Sequence, residues 1–331
     1  MDYETKNGGT AAAADGKALA DRSAGVGGSN RPNKLLKWIK KDYGCYLFLL
    51  PMIIGFFIFT AYPVITSLIY SFTDYNGLFY TKLGLENYQT MFDFSFSGLG
   101  KDVFKSFGVT FEWALISIPL GLVLSFMLAL LASKEVKGVG VYRLLFYMPT
   151  IIPSIAISFI WADTFSSDGL ANQLLLSLGL PPSMWLEGES TALWTLILTG
   201  VWGIGGNMIM WLASLRNIPP ELYEAAKIDG AGKLKQITNV TLPGIRFIIV
   251  ITLIQRIGGM LGVGFEKIFV LQNGMNLATS EVLDTLNYKM GIINWNSSLS
   301  TAISFFSAII SFILVFVADR FAKSIGEEGL L

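Results

Sequence analysis

The sequence predicts an all-α, polytopic membrane protein with six transmembrane helices. Of its 331 residues, 53% are hydrophobic and only 15% are charged, and the mean hydropathy of +0.56 is too high for a water-soluble domain of this length. Six long apolar runs each approach the ~20 residues that a helix needs to cross a bilayer. The runs are continuous rather than alternating, which excludes a membrane β-barrel.

The six predicted spans follow one another with short polar stretches between them. They cover approximately residues 45–71, 109–132, 144–162, 192–215, 245–264 and 299–318. Pro51 and Pro63 interrupt the first span, and a membrane helix tolerates prolines where neighbouring groups satisfy the freed carbonyls. Before the spans, residues 1–42 include a Gly-, Ala- and Ser-rich stretch that predicts a flexible tail.

Basic residues alternate between the two sides of the predicted spans. They cluster in 31–41, 134–143, 216–235 and 320–323, whereas no Lys or Arg lies between Arg143 and Arg216. Cytoplasmic loops of membrane proteins carry the excess of Lys and Arg. Both termini, including a short tail at residues 321–331, and the polar stretch 217–243 are therefore predicted to be cytoplasmic.

Charge and composition exclude several classes of function. The formal net charge is zero, so no nucleic-acid partner is predicted. There is no His and one Cys, Cys45, so no disulfide can form within the chain, and the commonest metal ligand and general base is absent. The sequence therefore predicts neither a metal site nor a catalytic site.

Residues 217–243 form a polar, Gly- and Ala-rich island between the fourth and fifth spans. Pro219 and Pro220 can begin a helix there because the first helical turn leaves its N–H groups unpaired anyway. Gly230 can end that helix in a left-handed conformation. Ala225 and Ala226 would let a partner approach the backbone closely. The island predicts a docking helix, with an ordinary polar loop as the alternative.

The same island resembles a known signature. Glu-Ala-Ala at 224–226, Asp-Gly-Ala at 229–231 and the later Leu-Pro at 242–243 resemble the EAA motif in the membrane subunits of ATP-binding-cassette (ABC) importers. Further stretches, among them 149–161, 201–207 and 264–269, are similar to the carbohydrate branch of these permeases, in its complex-oligosaccharide, lipoprotein-linked subgroup. In that family the motif touches the ATPase, so the resemblance implies these coupling residues: Glu224, Ala225, Ala226, Asp229, Gly230, Ala231 and Pro243.

The resemblance implies a fold and a set of partners. Residues 43–320 are expected to form a type I ABC importer (MetI-like) permease domain of a bacterial plasma-membrane protein. Its expected partners are a second homologous permease, an ATPase dimer that uses ATP-Mg, an extracellular solute-binding protein, a carbohydrate solute and membrane lipid. A phosphate-binding loop needs Gly-x-x-x-x-Gly-Lys-Ser/Thr, whereas Gly232 and Lys233 are followed by Leu234. The ATPase activity is thus expected in another chain, with no cofactor bound by this one.

Four residues are candidates for the solute path. A sugar path needs aromatic faces and amides on inward-facing positions, and Trp161, Trp202, Asn207 and Gln255 supply them. The alternatives stay open: the tryptophans can belong to the interfacial belt, and the amides can join helices by hydrogen bonds.

Arg256 falls inside the fifth predicted span, where a charge costs about 2.5–3.5 kcal/mol on insertion scales. It therefore needs a partner. The sequence offers an ion pair with Glu112 or Glu266, a group on the second permease, or the solute itself.

Two other functions compete with the importer permease. A stand-alone transporter driven by ion coupling would need paired carboxylates or an unwound ion site within the spans. A membrane-embedded enzyme would need clustered His, Cys or carboxylates at one depth. The predicted spans hold almost no acidic residue besides Glu112, which disfavours both.

Overall fold

The computed structural model describes residues 43–80, 82–96, 98–134, 137–262 and 264–324. Almost all secondary structure in this part of the chain is helical, with one isolated antiparallel bridge between Thr73 and Leu83. The α-helices are α1 (Tyr43–Phe56), α2 (Tyr62–Ser71), α3 (Glu86–Met91), α4 (Gly100–Ser133), α5 (Val139–Tyr147), α6 (Ser154–Thr164), α7 (Leu170–Ser177), α8 (Glu189–Val201), α9 (Gly205–Arg216), α10 (Pro220–Ile228), α11 (Lys233–Gln236), α12 (Leu242–Gly244), α13 (Arg246–Gly258), α14 (Phe265–Leu271), α15 (Leu277–Ser280), α16 (Leu283–Tyr288) and α17 (Ser297–Ser324).

The chain divides into two compact units, residues 1–64 and 65–331. In the first unit, α1 contains Pro51 and leads into a π-helical segment, Phe57–Ala61. The N–H of Tyr62 donates to the carbonyl of Phe57, five residues back, just before Pro63. This wider turn shifts the helical hydrogen-bond register beside a residue that lacks an N–H donor. The predicted tail at 1–42 lies outside the described residues.

Six apolar spans are present if each bent helix pair counts as one. Three helices are long and apolar enough to cross a bilayer: Leu47–Ser71, Gly100–Ser133 and Ser297–Ser324. Three further spans are pairs that meet at an angle: Val139–Ile151 with Ser154–Thr164, Glu189–Val201 with Gly205–Arg216, and Lys233–Gly244 with Arg246–Gly258. The prediction of an all-α polytopic protein is confirmed.

The third predicted span, 144–162, is not one straight helix. Its two halves meet at 98°, where a 3₁₀ segment, Met148–Ile151, ends at Ile152. Ile152 is extended (ψ 132°) because it precedes Pro153, and a proline disfavours helical backbone in the residue before it. The prolines therefore break this span rather than merely kinking it.

The fifth predicted span also differs in its bounds. Helical structure already begins at Lys233, inside the stretch assigned to a coupling loop, and passes through a π-helical segment, Ile237–Thr241, that again precedes a proline, Pro243. The chain then bends by 67° into α13, which ends at Gly258 instead of continuing to 264. At the other end of the protein, α17 extends to Ser324, so the first residues of the predicted tail 321–331 are helical.

The core of the second unit consists of three apolar clusters arranged around α4. One joins the first half of α4 to α8, α16 and α17. Another joins the last turns of α4 to α9, to Ile218 near the start of the polar island and to Ile245 just after its end. The third joins α4, α8 and α14 to Phe165 at the end of α6. Helix α4 is thus the common wall that positions the polar island and the membrane-embedded segments.

Candidate functional site

The polar island contains the short helix that its prolines and glycine predict. Helix α10 begins with Pro220 at its first position, after Pro219 in an extended conformation (φ −58°, ψ 130°). Gly230 follows the helix with φ +76°. The N–H of Gly230 donates to the carbonyl of Lys227 (3.0 Å), and the N–H of Ala231 donates to that of Ala226 (2.8 Å). These two bonds form a Schellman motif, which satisfies carbonyls that the helix end leaves free.

The helix and the turn after it present apolar side chains to the outside of the chain. Ile228 is 86% exposed and Leu234 is 76% exposed, and Leu222 is also exposed. Exposed apolar side chains of this size can serve as contacts for a partner chain. The polar composition of the island does not reveal them.

The island is anchored from its inner side. The hydroxyl of Tyr223 on α10 lies 3.1 Å from that of Thr241, which is buried. The side-chain amide of Gln236 donates to the carbonyl of Ala231 (2.8 Å), directly after the Schellman motif. Tyr223 also packs against the cluster that α4 and α9 share. The docking helix is therefore tied to the core, while its outer face stays open.

The predicted coupling residues lie on this island. Within the described residues, Glu224 and Asp229 form no ion pair or side-chain hydrogen bond, so both carboxylates stay available to another chain. Five of the coupling residues are exposed and two are half-buried: the exposed ones are Glu224, Ala225, Asp229, Gly230 and Pro243, and the half-buried ones are Ala226 and Ala231.

The predicted solute-path residues are only partly brought together. Trp161 and Trp202 meet edge to face with their ring centroids 5.8 Å apart, and Trp161 also stacks on Phe165. Asn207 on α9 is half-buried and Gln255 on α13 is exposed. None of the four predicted residues lines the cavity described next. Their part in solute transfer stays a prediction.

A cavity of about 200 Å³ lies between α4, the end of α8, α13 and α14. Two cationic side chains line it, Arg256 of α13 and Lys267 of α14. Its other walls are apolar or small, with the following lining residues: Trp113, Ser117, Ile118, Leu120, Gly121, Ile197, Gly200, Val201, Gly203, Ile204 and Gly264. None of these lining residues carries a negative charge.

The polar groups of this cavity are mostly hydrogen-bond donors without acceptors. The Lys267 ammonium donates to the backbone carbonyl of Leu196 (3.2 Å). The buried Nε1 of Trp113 has no hydrogen-bond partner. Arg256 forms no ion pair with Glu112, Glu266 or any other described residue, so the expected pair within the chain is not formed. The Arg256 side chain is exposed, so only the buried Trp113 N–H bears the ≈ 1–3 kcal/mol cost of a buried donor without a partner.

Sequence reasoning missed most of this cavity. Arg256 was recognisable because it is a charge within an apolar run, but Lys267 lies in the short α14, outside the six apolar spans. Trp113 and Ser117 carry no local signal at all, since an aromatic and a hydroxyl residue in a membrane helix are more often packing or helix-joining groups. The island's anchor, Tyr223 with Thr241, was missed for the same reason.

The chain matches a family model described as the binding-protein-dependent transport system inner membrane component, over residues 121–327. This range holds the polar island, Arg256 and Lys267.

Individual relatives match over almost the whole chain. Protein LplB of Bacillus subtilis is 31% identical over 88% of this chain and 92% of its own. The polygalacturonan/rhamnogalacturonan transport system permease protein YteP of the same organism is 33% identical over 91% of this chain and 94% of its own. A chain from the crystal structure of a bacterial alginate ABC transporter, in complex with an alginate pentasaccharide-bound periplasmic protein, is 27% identical, with a TM-score of 0.80 over 90% of this chain and 100% of that one.

Proposed function

Because the chain belongs to the family of binding-protein-dependent transport system inner membrane components, we propose that it forms half of the translocation pathway of an ATP-driven carbohydrate importer. The observation that best supports this proposal is α10. This helix begins at Pro220, is capped at Gly230, and is held to the core by the hydrogen bond between Tyr223 and Thr241. Its outer face, with Glu224 and Ala225, is open to a second chain. The importer's other half is a second homologous permease.

The docking helix couples ATP hydrolysis to movement of the membrane helices. An ATPase domain can pack closely against Ala225 and Ala226. Movement of that domain can then displace α10 as a rigid body, because the Schellman motif fixes the end of the helix. The bond between Tyr223 and Thr241 passes that movement to the segment that leads into α13. The ATPase dimer holds ATP-Mg itself, and this chain needs no cofactor for its part.

The proposed partners and orientation follow from the same considerations. A carbohydrate solute is supported by the names of YteP and of the alginate transporter, which both refer to polysaccharides. An external binding protein is supported by the periplasmic protein in the alginate transporter structure. The distribution of Lys and Arg supports a multi-pass plasma-membrane protein with both termini and the docking helix in the cytoplasm. On that side α10 meets an ATPase where ATP is available.

The solute path is proposed to use aromatic and amide contacts. Trp161 and Trp202 form one aromatic corner, which can face the C–H surface of a sugar ring. Asn207 and Gln255 have no side-chain hydrogen bond within the described residues, so each amide is free to bind a hydroxyl. Such contacts must be weak and replaceable, since a conduit that held sugar tightly would not release it.

The test is purification of the tagged chain from its own membrane, followed by reconstitution in vesicles. We expect an ABC ATPase and a second permease to copurify, and sugar uptake to need the binding protein and internal ATP. A Glu224→Lys variant should retain the second permease and show slower uptake. Uptake that continues without ATP, and that a protonophore abolishes, would instead indicate a stand-alone ion-coupled transporter.

A further inference from the structure

The cavity between α4, α8, α13 and α14 is lined by two cations and no anion, which favours a negatively charged ligand. We propose that it binds a carboxylate of the transported carbohydrate, so that the importer's solute is an acidic oligosaccharide. This inference rests on the proposed function and adds the charge of the solute to it. Three of the residues that line the cavity determine this preference: Arg256, Lys267 and Trp113.

The cavity extends from the last turn of α13 to the middle of α8. Arg256 is ten residues beyond Arg246, the first residue of α13, which places it about 15 Å along that helix at 1.5 Å per residue. The Lys267 ammonium contacts the carbonyl of Leu196, seven residues into α8, or about 10 Å from the start of that helix. The hydrocarbon core of a bilayer is ≈ 30 Å thick. Arg256 is exposed and lies two residues before the last residue of α13, so the cavity can be reached at that cation. The Lys267 ammonium lies further in, beside the middle of α8, where a charge needs a counter-charge.

The chain supplies these cations with almost no acceptors. One backbone carbonyl, that of Leu196, accepts from Lys267. An ammonium has three donors and a guanidinium has five, so most of their capacity stays unused. The Trp113 side chain lines the cavity and is only 6% exposed, and its Nε1 has no hydrogen-bond partner. Ser117 can donate or accept.

A carboxylate fits this set of groups better than a neutral hydroxyl does. Its two oxygens offer about four lone-pair sites, and it can accept from a guanidinium in a bidentate fashion. Hydrogen bonds between ionised groups are roughly twice as strong as neutral ones. A hydroxyl would leave both positive charges without compensation. The geometry therefore selects for an anion.

The size and the walls of the cavity favour a solute over another protein chain. The volume of about 200 Å³ equals that of roughly seven waters at ≈ 30 Å³ each, which is room for one sugar ring. The walls come from four helices of this one chain, so a carboxylate from a neighbouring subunit would have to insert between them. Gly200 and Gly203 keep one wall free of side chains; at Gly200, a β-carbon would stand 3.4 Å from the Lys267 ammonium.

The experiment measures binding of two probe sugars to the purified whole complex in nanodiscs. Saturation-transfer NMR with glucuronate and with glucose compares two rings that differ in a carboxylate. We expect a glucuronate signal well above the glucose signal. Arg256→Gln and Lys267→Gln should each reduce the glucuronate signal by about tenfold or more, because a hydrogen bond between charged groups contributes ≈ 1.5–3 kcal/mol.

Two matched variants serve as controls. Lys105→Gln removes a cation from α4, the helix that supplies Trp113 and Ser117, at an exposed position outside the cavity. It should leave the glucuronate signal intact. Arg256→Lys retains the charge and should restore part of the signal that Arg256→Gln loses. Copurification of the ATPase with each variant shows that the complex has assembled.

Each result decides for or against the proposal. A selective glucuronate signal that both cavity variants lose supports it, even if uptake by the same complex proves not to depend on ATP, in which case only the proposed function fails. Equal signals from the two sugars would overturn it, and so would a glucuronate signal that survives loss of both cations. Absence of any glucuronate signal from the wild-type complex would also overturn it.

Discussion

Replacing Gly230 with Val tests the backbone conformation at the end of the docking helix without changing the contacts that the helix makes within the chain. Gly230 has φ +76°, and a β-carbon built there would meet no atom within 4 Å. The substitution therefore introduces no steric clash within the chain. It acts through the backbone, because left-handed φ costs an L-residue roughly 1–2 kcal/mol, and a β-branched residue is a stronger outlier there.

The strain can be relieved only by giving up the Schellman motif. The two bonds at stake join Gly230 to Lys227 and Ala231 to Ala226, and each contributes about 0.5–1.5 kcal/mol net. A change of one or two kcal/mol alters a two-state population about 5- to 30-fold. We expect the end of α10 to lose its fixed conformation in most molecules, while the spans, which do not depend on this turn, stay folded.

The assay is the amount of solute transported per ATP hydrolysed by the reconstituted complex. Gly230→Val should lower that ratio severalfold, with the chain still inserted and purified at normal yield. Gly230→Asn should recover much of it, because Asn tolerates the left-handed region. Gly232→Val is the matched control: it lies two residues away, has φ −68° and equally open surroundings. Normal uptake and normal ATPase stimulation in Gly230→Val would refute the reasoning.

Three further predictions concern single contacts. Glu224→Lys should slow transport without dispersing the complex, since an exposed ion pair contributes at most about 1 kcal/mol; unchanged uptake kinetics would remove Glu224 from the coupling surface. Alanine at both Asn207 and Gln255 should reduce uptake of the preferred sugar, at about 0.5–1.5 kcal/mol for each lost hydrogen bond, with ATPase attachment intact; wild-type uptake across a panel of sugars would assign the solute contacts to the second permease. Tyr223→Phe should lower the thermal stability of the complex by about 1 kcal/mol for one part-buried hydrogen bond, and Thr241→Val should lower it further, because the Thr241 hydroxyl also donates to the carbonyl of Gln236 (3.3 Å). The double variant should lose little more than Thr241→Val alone; fully additive losses would show that the 3.1 Å contact is not a shared bond.

The parts of this structure that sequence could predict are the parts set by neighbouring residues. An apolar run long enough to cross a bilayer needs no tertiary information, and neither does a helix between Pro219 and Gly230. The bend near Pro153 was harder, because a proline in a membrane helix can kink the helix or break it, and the outcome depends on what packs around it. The π-helical segments before Pro63 and Pro243 are a local response to a missing donor that the span pattern does not reveal.

The cavity lay beyond sequence reasoning for a different reason. Lys267 and Leu196 are 71 residues apart, and Trp113 reaches the same space from α4. Nothing in the local pattern of any one segment requires the others, so only the packing of α4, α8, α13 and α14 creates a site lined by donors. The sequence indicated that Arg256 is a charge within an apolar span and needs a partner. The structure adds that Lys267 and Trp113 line the same cavity.

The docking helix and the cavity belong to one mechanical unit because α13 connects them. The island reaches α13 through Ile245, a residue that is 1% exposed and packs in the cluster shared by α4 and α9. Closely packed interiors transmit displacement rather than absorb it, so movement of α10 is expected to tilt α13 about this buried point. Arg256 lies near the far end of α13, whereas Lys267 is on α14, a separate helix that packs against α6. Tilting α13 alone would draw the two cations apart and weaken the joint hold on a carboxylate that we propose for them, so ATP hydrolysis would then release the proposed acidic sugar.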